Sequence, residues 1–270
     1  MGEEPQKQVS PTDCYDLPKY WDLAFSDDTK LEADFLFDVV ERHCDFPLKS
    51  AVEPGCGGGR LLEELASRGV TVSGWDLSED AVQWAGTRLQ KRDLPGSAVV
   101  ADMRTHVVDP QVDLAYCLVN TFRHLLNDED AITHLQSVAR SLRPGGLYVV
   151  GLHLLPPDAD LDDEEEWSVT EGDITVTIQL TAMNGCRERR EETLRFVMTV
   201  EDPSLLKESG TLQFQSDYHM RTWEAGHIQR LLTNVPEFEL RGVFDFWYEI
   251  DEPLELSDEL GDTVLVLQRL

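Results

Sequence analysis

Basic side chains are scarce in this chain: 23 lysines and arginines stand against 52 aspartates and glutamates, a formal charge of −29. That balance repels a polyanion over a screening length of about 10 Å at moderate salt. The densest basic run, Arg187–Arg190 (RERR), itself contains a glutamate. Neither nucleic acid nor an anionic membrane is therefore an expected partner. Long apolar runs are also missing. No stretch approaches the roughly 18 to 20 apolar residues of a membrane span, and the opening MGEEPQKQVSPTDCYD has neither a basic region nor an apolar signal core. The expected location is the cytoplasm. Cysteine is sparse: Cys14, Cys44, Cys56, Cys117 and Cys186 are odd in number and show no CxxC or other metal spacing. Reduced thiols are expected, with neither a disulfide framework nor a bound metal. The acidity fits solubility or life at high salt. A cationic or amine-bearing substrate is the sharper reading, which net charge alone does not establish.

With 270 residues, 41% of them hydrophobic, the chain can bury one sizeable core, and a single domain with an insertion is expected. Up to residue 154 short apolar segments alternate with helical ones. Leu31–His43, Gly59–Arg68, Ser78–Gln90 and Asp128–Leu142 have helical periodicity, whereas Ser50–Glu53, Thr71–Asp76, Ala98–Asp102, Val112–Val119 and Leu147–Leu154 read as strands. This alternation implies right-handed βαβ units and a parallel sheet. An acidic run, Asp158–Glu166, reads as a solvated loop. Beyond it, Trp167–Leu180, Glu192–Val200 and Thr211–Met220 have the two-residue alternation of antiparallel strands, with Asn184–Gly185 as a tight turn between the first two. A helix is expected at Thr222–Leu232, and strands Glu237–Glu249 and Asp262–Gln268 would pair as a closing hairpin. The expected organisation is a main domain of residues 1–155 and 221–270, with residues 156–220 as a small antiparallel β insertion serving as a substrate lid or a homodimer contact.

The strongest local signal is Glu53-Pro54-Gly55-Cys56-Gly57-Gly58-Gly59, an apolar strand end running into a glycine turn and then an amphipathic helix from Arg60. Glycines let the chain turn sharply and let a ligand lie against bare backbone. Asp76, 21 residues after Gly55, ends the second strand, where a carboxylate can accept both hydroxyl protons of a ribose; the same position suits a cap on the following helix. A dinucleotide fingerprint would place glycine where Arg60 stands. Glu53, two residues before the first glycine, suits a protonated amine and would repel a pyrophosphate.

These residues resemble the E/DxGxGxG motif of class I S-adenosylmethionine-dependent methyltransferases. Asp76 matches their ribose-binding acid, and Ala101-Asp102-Met103 matches the acidic position that contacts the adenine amine. Asp113–Asn120 resembles their fourth strand, and Leu142-Arg143-Pro144-Gly145-Gly146 their LKPGG turn. The resemblance covers about residues 50–153. It implies an α/β, Rossmann-like seven-stranded sheet, mostly parallel with a closing antiparallel hairpin. It also implies S-adenosyl-L-methionine as cofactor, with Tyr20, Glu53, Gly55, Cys56, Gly57, Asp76, Leu77, Asp102, Met103 and Leu118 as binding residues. The opening Tyr15-Asp16 and Tyr20-Trp21-Asp22, with the β insertion, resembles small-molecule methyltransferases acting on glycine, sarcosine or amino sugars; there the tyrosines help cover the cofactor.

Methyl transfer from a sulfonium is an in-line displacement in which positioning supplies most of the acceleration, and the enzyme need only align a lone pair and accept a proton. Candidate catalytic residues are Asn120, His124, His153 and His219, and candidate acceptor-binding residues are Arg123, Tyr218 and Arg221, near expected carboxyl ends of strands or the end of the insertion, together with Tyr15 of the opening segment. The absence of an NPPY-type sequence argues against methylation of a nucleobase amine. The leading expectation is methyl transfer to nitrogen or oxygen of a small metabolite. The alternatives are a non-catalytic S-adenosylmethionine-binding regulator and a protein or RNA methyltransferase.

Overall fold

The computed structural model describes residues 9–10, 12–205 and 211–270. The other residues of the opening segment and of the insertion lie outside that description. The main sheet has seven strands: β2 (Ser50–Pro54), β3 (Thr71–Asp76), β4 (Gly96–Val100), β5 (Val112–Cys117), β6 (Leu142–His153), β11 (Phe238–Phe244) and β12 (Asp262–Arg269). Their order is β11-β12-β6-β5-β2-β3-β4. Pairing is parallel from β4 to β6, whereas β12 runs antiparallel to both β6 and β11, giving the closing hairpin.

Every residue of β5 is buried, as expected for a parallel strand covered on both faces. Leu114 and Tyr116 face a core shared with α2 (Thr29–His43), α3 (Arg60–Ser67) and α4 (Glu79–Lys91). Ala115 and Cys117 face the other core, built with α5 (Asp128–Ser141) and α6 (Ala225–Thr233). The strand order turns at β2 and β5, so their carboxyl ends open the crevice in which such sheets bind ligands.

A second sheet has the order β1-β10-β9-β8-β7, formed by β1 (Val9–Ser10), β7 (Asp163–Glu171), β8 (Ile174–Cys186), β9 (Glu191–Glu201) and β10 (Leu212–Arg221). It is antiparallel except for β1, which joins β10 in parallel. Its inner face buries Val176, Ile178, Phe196, Met198 and Val200 against the short helix α1 (Pro18–Ala24).

Several boundaries correct the expectations from sequence. The stretch Trp167–Leu180 is two strands, folded back at Gly172, whose φ of +61° lies in the left-handed region that favours glycine. The residue alternation continues unbroken across that turn, which hid it. Asn184–Gly185 is not the hairpin turn; Asn184 has φ +57° at a register shift within β8, and the chain reverses at residues 187–190. The acidic run is not all loop, because β7 begins at Asp163. The strand expected at Glu237–Glu249 ends at Phe244.

Candidate cofactor and acceptor site

A cavity of about 1420 Å³ opens over the carboxyl ends of β2, β3 and β5 and reaches beneath the second sheet. The glycine turn forms its floor. Gly55 and Cys56 both donate backbone N–H bonds to the Trp75 carbonyl (2.7 and 3.0 Å), which bends the chain off β2. Gly55, Gly57 and Gly59 take φ values of +68°, +51° and +75°. A Cβ at Gly55 would lie 2.4 Å from Thr121 Cγ2, whereas one at Gly57 would meet nothing within 4 Å. The backbone at Gly57 thus faces open space, as close approach of a ligand requires. Asp76 fixes the turn: Oδ2 accepts the Gly57 N–H and Oδ1 the Ser78 N–H, each at 2.9 Å. Ser78 Oγ caps α4 by accepting from Ala81 N, so the cap expected of Asp76 is shared with the next serine.

Glu53 lies at the other end of the turn, 9% exposed. Burial raises its pKa well above that of an ordinary carboxyl group, partly offset by the nearby Arg60 guanidinium. Its hydrogen-bond partner is Tyr116, whose hydroxyl donates at 3.2 Å. Arg60 is committed elsewhere, to a two-point contact with buried Glu32 and a bond to Thr29 Oγ1. A buried carboxylate facing a cavity with one neutral donor is built to receive a cation. Asp22 of α1 crosses the turn as well: its Oδ2 lies 2.9 Å from Arg88 Nη1 and where a Cβ on Gly58 would intrude, at 2.2 Å. Burial pushes the Asp22 carboxyl up to about 6.

The remaining expected residues are unevenly placed. Tyr15, Glu53, Cys56, Leu77, Met103 and Leu118 line the cavity together with the glycines and Asp76. Tyr20 does not. Its hydroxyl donates to Asp202 at 2.9 Å inside the packing of α1 on the second sheet, because the helix turns Trp21 rather than Tyr20 to the cavity. Asp102 is also off the wall; Arg104 engages its carboxylate through both guanidinium and backbone, which lowers its pKa. Flanking Ala101 and Met103 take the wall position instead.

Asn120, with φ +65°, uses Oδ1 to accept the His153 N–H at 2.6 Å, which ties β5 to β6. His153 stands at the exposed mouth, with Nδ1 3.0 Å from Asp262 Oδ1. His124 is deeper: Nε2 lies 3.0 Å from the Tyr15 hydroxyl, and burial together with Arg123 depresses its basicity. Arg123 faces the cavity but is paired with buried Glu192 and donates to the Arg221 carbonyl, so it is not free to bind an anion. Tyr218, His219 and Arg221 lie off the cavity wall. Tyr218 stacks behind Tyr15 (4.1 Å between centroids) and donates to Asp13; His219 faces Thr193 Oγ1 at 3.4 Å. Arg221 is held by the Leu126 carbonyl and Asp128.

The sequence reading missed the aromatic wall. Trp21, Phe25, Trp167 and Phe196 line the cavity in successive contact, at 5.1 to 5.5 Å between centroids. Trp21 was visible within the YWD segment, but nothing local says which face of a seven-residue helix turns inward. Among the described residues no cluster of His, Cys, Asp and Glu could hold a metal, and no helix is long and apolar enough to cross a membrane.

Residues 51–146 match the family described as Methyltransferase domain. A ubiquinone biosynthesis O-methyltransferase of Azoarcus sp. is 32% identical over 111 residues, 40% of this chain and 46% of that protein. The chain spans about half the length of the curated relatives it matches. Two solved structures cover almost all of it. An S-adenosylmethionine-dependent methyltransferase from Clostridium acetobutylicum superposes with a TM-score of 0.75 at 13% identity, over 95% of this chain and 99% of that one. The sugar N-methyltransferase of a Streptoalloteichus species does so with 0.71 at 18% identity, over 100% and 98%. The family match is thus confined to residues 51–146, and the chain shares its fold with these two methyltransferase structures over almost its whole length.

Proposed function

We propose that this protein transfers a methyl group from S-adenosylmethionine to a nitrogen or oxygen of a small-molecule acceptor. The observation that carries the reading is the pairing of two carboxylates across one glycine turn in a single cavity: Asp76, oriented by two backbone amides, and Glu53, buried with one neutral donor. Asp76 retains lone pairs for two ribose hydroxyls, and Glu53 would hold an α-ammonium. Leu77, Ala101 and Met103 offer apolar surface for the base. The bound cofactor supplies an electrophilic methyl group; the chain supplies position and a dry, shaped site.

On the acceptor side, the aromatic wall suits a small molecule with an apolar or ring-shaped body. Both arginines of the cavity are neutralised, by Glu32 and Glu192, which disfavours nucleic acid. His124, kept neutral by burial and bonded to Tyr15, is the residue placed to accept a proton from the acceptor. Relatives include both an O- and an N-methyltransferase, so both acceptor atoms belong to the proposal. The five cysteines are unpaired, and the proposal places the enzyme in the cytoplasm, where they would stay reduced. Incubation with methyl-labelled cofactor and pooled metabolites tests the activity. A labelled small product supports it, and cofactor binding without any product would favour a non-catalytic binder.

A further inference from the structure

Residues 101–111 join β4 to β5 without regular secondary structure, yet carry Ala101 and Met103 into the cavity wall. Such a segment holds one shape only if its backbone groups find partners. They find them on α5. His134, Ser137 and Ser141 lie on one face of that helix and are fully buried. His134 Nδ1 is 2.7 Å from the Met103 carbonyl, and Ser137 Oγ is 2.7 Å from the Arg104 carbonyl. Ser141 Oγ accepts the Val108 N–H at 3.2 Å.

Three polar side chains on a core-facing helix stripe are costly unless each is bonded, and here each is bonded to the same segment. The tautomer of His134 follows from its partners. A carbonyl only accepts, so Nδ1 carries the proton, and Nε2 accepts from the Tyr148 hydroxyl at 2.6 Å. Burial keeps the ring neutral, with its pKa pushed down to about 4. Cys117, the residue before cavity-lining Leu118, lies in the same buried core as Tyr148.

We propose that His134 is a positioning residue for the adenine-side wall, holding Met103 in place through the bond from Nδ1 to the Met103 carbonyl. This rests on the methyltransferase reading, because the wall matters only if a nucleoside occupies the cavity. His134 touches no ligand itself. The latch also includes Ser137, which fixes the next carbonyl along.

Two substitutions separate positioning from mere packing. In His134→Asn the side-chain amide nitrogen stands close to the place of Nδ1 and keeps the bond to Met103, while the contact with Tyr148 is lost. In His134→Gln the longer side chain reaches Tyr148 and leaves the Met103 carbonyl without a donor. Calorimetry with S-adenosylhomocysteine is expected to show affinity within about threefold of wild type for His134→Asn, and about tenfold weaker for His134→Gln, one buried hydrogen bond. Ser137→Ala weakens binding in the same direction as His134→Gln. Thermal midpoints of the two His134 variants fall alike. Equal affinities for those two variants would overturn the proposal. Amide exchange at residues 103–108 in the ligand-free protein gives a readout independent of the cofactor: protection falls in His134→Gln and persists in His134→Asn, and equal protection overturns the latch. Should wild type take up no S-adenosylhomocysteine while that exchange contrast holds, the methyltransferase reading fails and the latch on Met103 stands.

Discussion

Replacing Asp76 by alanine removes the group that both shapes the glycine turn and lines the cavity beside it. In the free protein its two oxygens accept the Gly57 and Ser78 amides at 2.9 Å. Both amides are partly buried and can recruit water in the variant, so about 1 kcal/mol each, some 2 kcal/mol in all, is the expected loss of stability. The loss in binding is larger. Two ribose hydroxyls lose a charged acceptor, at about 1.5 kcal/mol per bond, so about 3 kcal/mol, or more than a hundredfold in Kd, is expected. Calorimetry with S-adenosylhomocysteine reads the second quantity and urea denaturation the first. A Kd within about threefold of wild type, with the fold intact, would refute the assignment of Asp76 to the ribose.

Other substitutions probe the rest of the site. Gly55→Ala places a Cβ 2.4 Å from Thr121 Cγ2 at φ +68°, and a urea midpoint should report at least about 1 to 2 kcal/mol of destabilisation; adding Thr121→Ser, which lacks Cγ2, should recover the steric part only. Arg123→Met strands buried Glu192 and is expected to cost about 3 to 5 kcal/mol by denaturation, with much of it restored in Arg123→Met/Glu192→Leu. For His124, burial and Arg123 lower the basicity, so the neutral ring persists to a pH below its ordinary value of about 6.5. The acid limb of kcat/KM should therefore lie below that pH. His124→Asn should remove the limb and lower kcat about a hundredfold while leaving S-adenosylhomocysteine affinity unchanged.

What could be read from the sequence depended on how local its cause was. The glycine turn, Glu53 and Asp76 were legible because one strand, one turn and the next strand end determine where they sit. The alternation of strands and helices likewise specified the main sheet and its closing hairpin. The second sheet was legible as antiparallel, but its hairpin at Gly172 was not, because residue alternation runs straight through the turn. Tyr20 was mistaken for a cavity residue because α1 is too short for periodicity to say which neighbour, Tyr20 or Trp21, faces inward. The crossing of Asp22 over Gly58 and the buried pair of Arg123 with Glu192 join residues far apart in the chain. No local pattern announces such contacts. For Asp102 the place after the third strand was legible, but not that Arg104 two residues on engages its carboxylate.

On the proposed function, the turn at Gly55–Gly59, between Glu53 and Asp76, receives a thioether nucleoside carrying an amino-acid tail. Titration of the unmodified protein with S-adenosylhomocysteine in a calorimeter tests it most directly. One saturable site per chain, with micromolar affinity, is the expected result. Absence of any heat or thermal shift with this ligand or with S-adenosylmethionine would contradict the account.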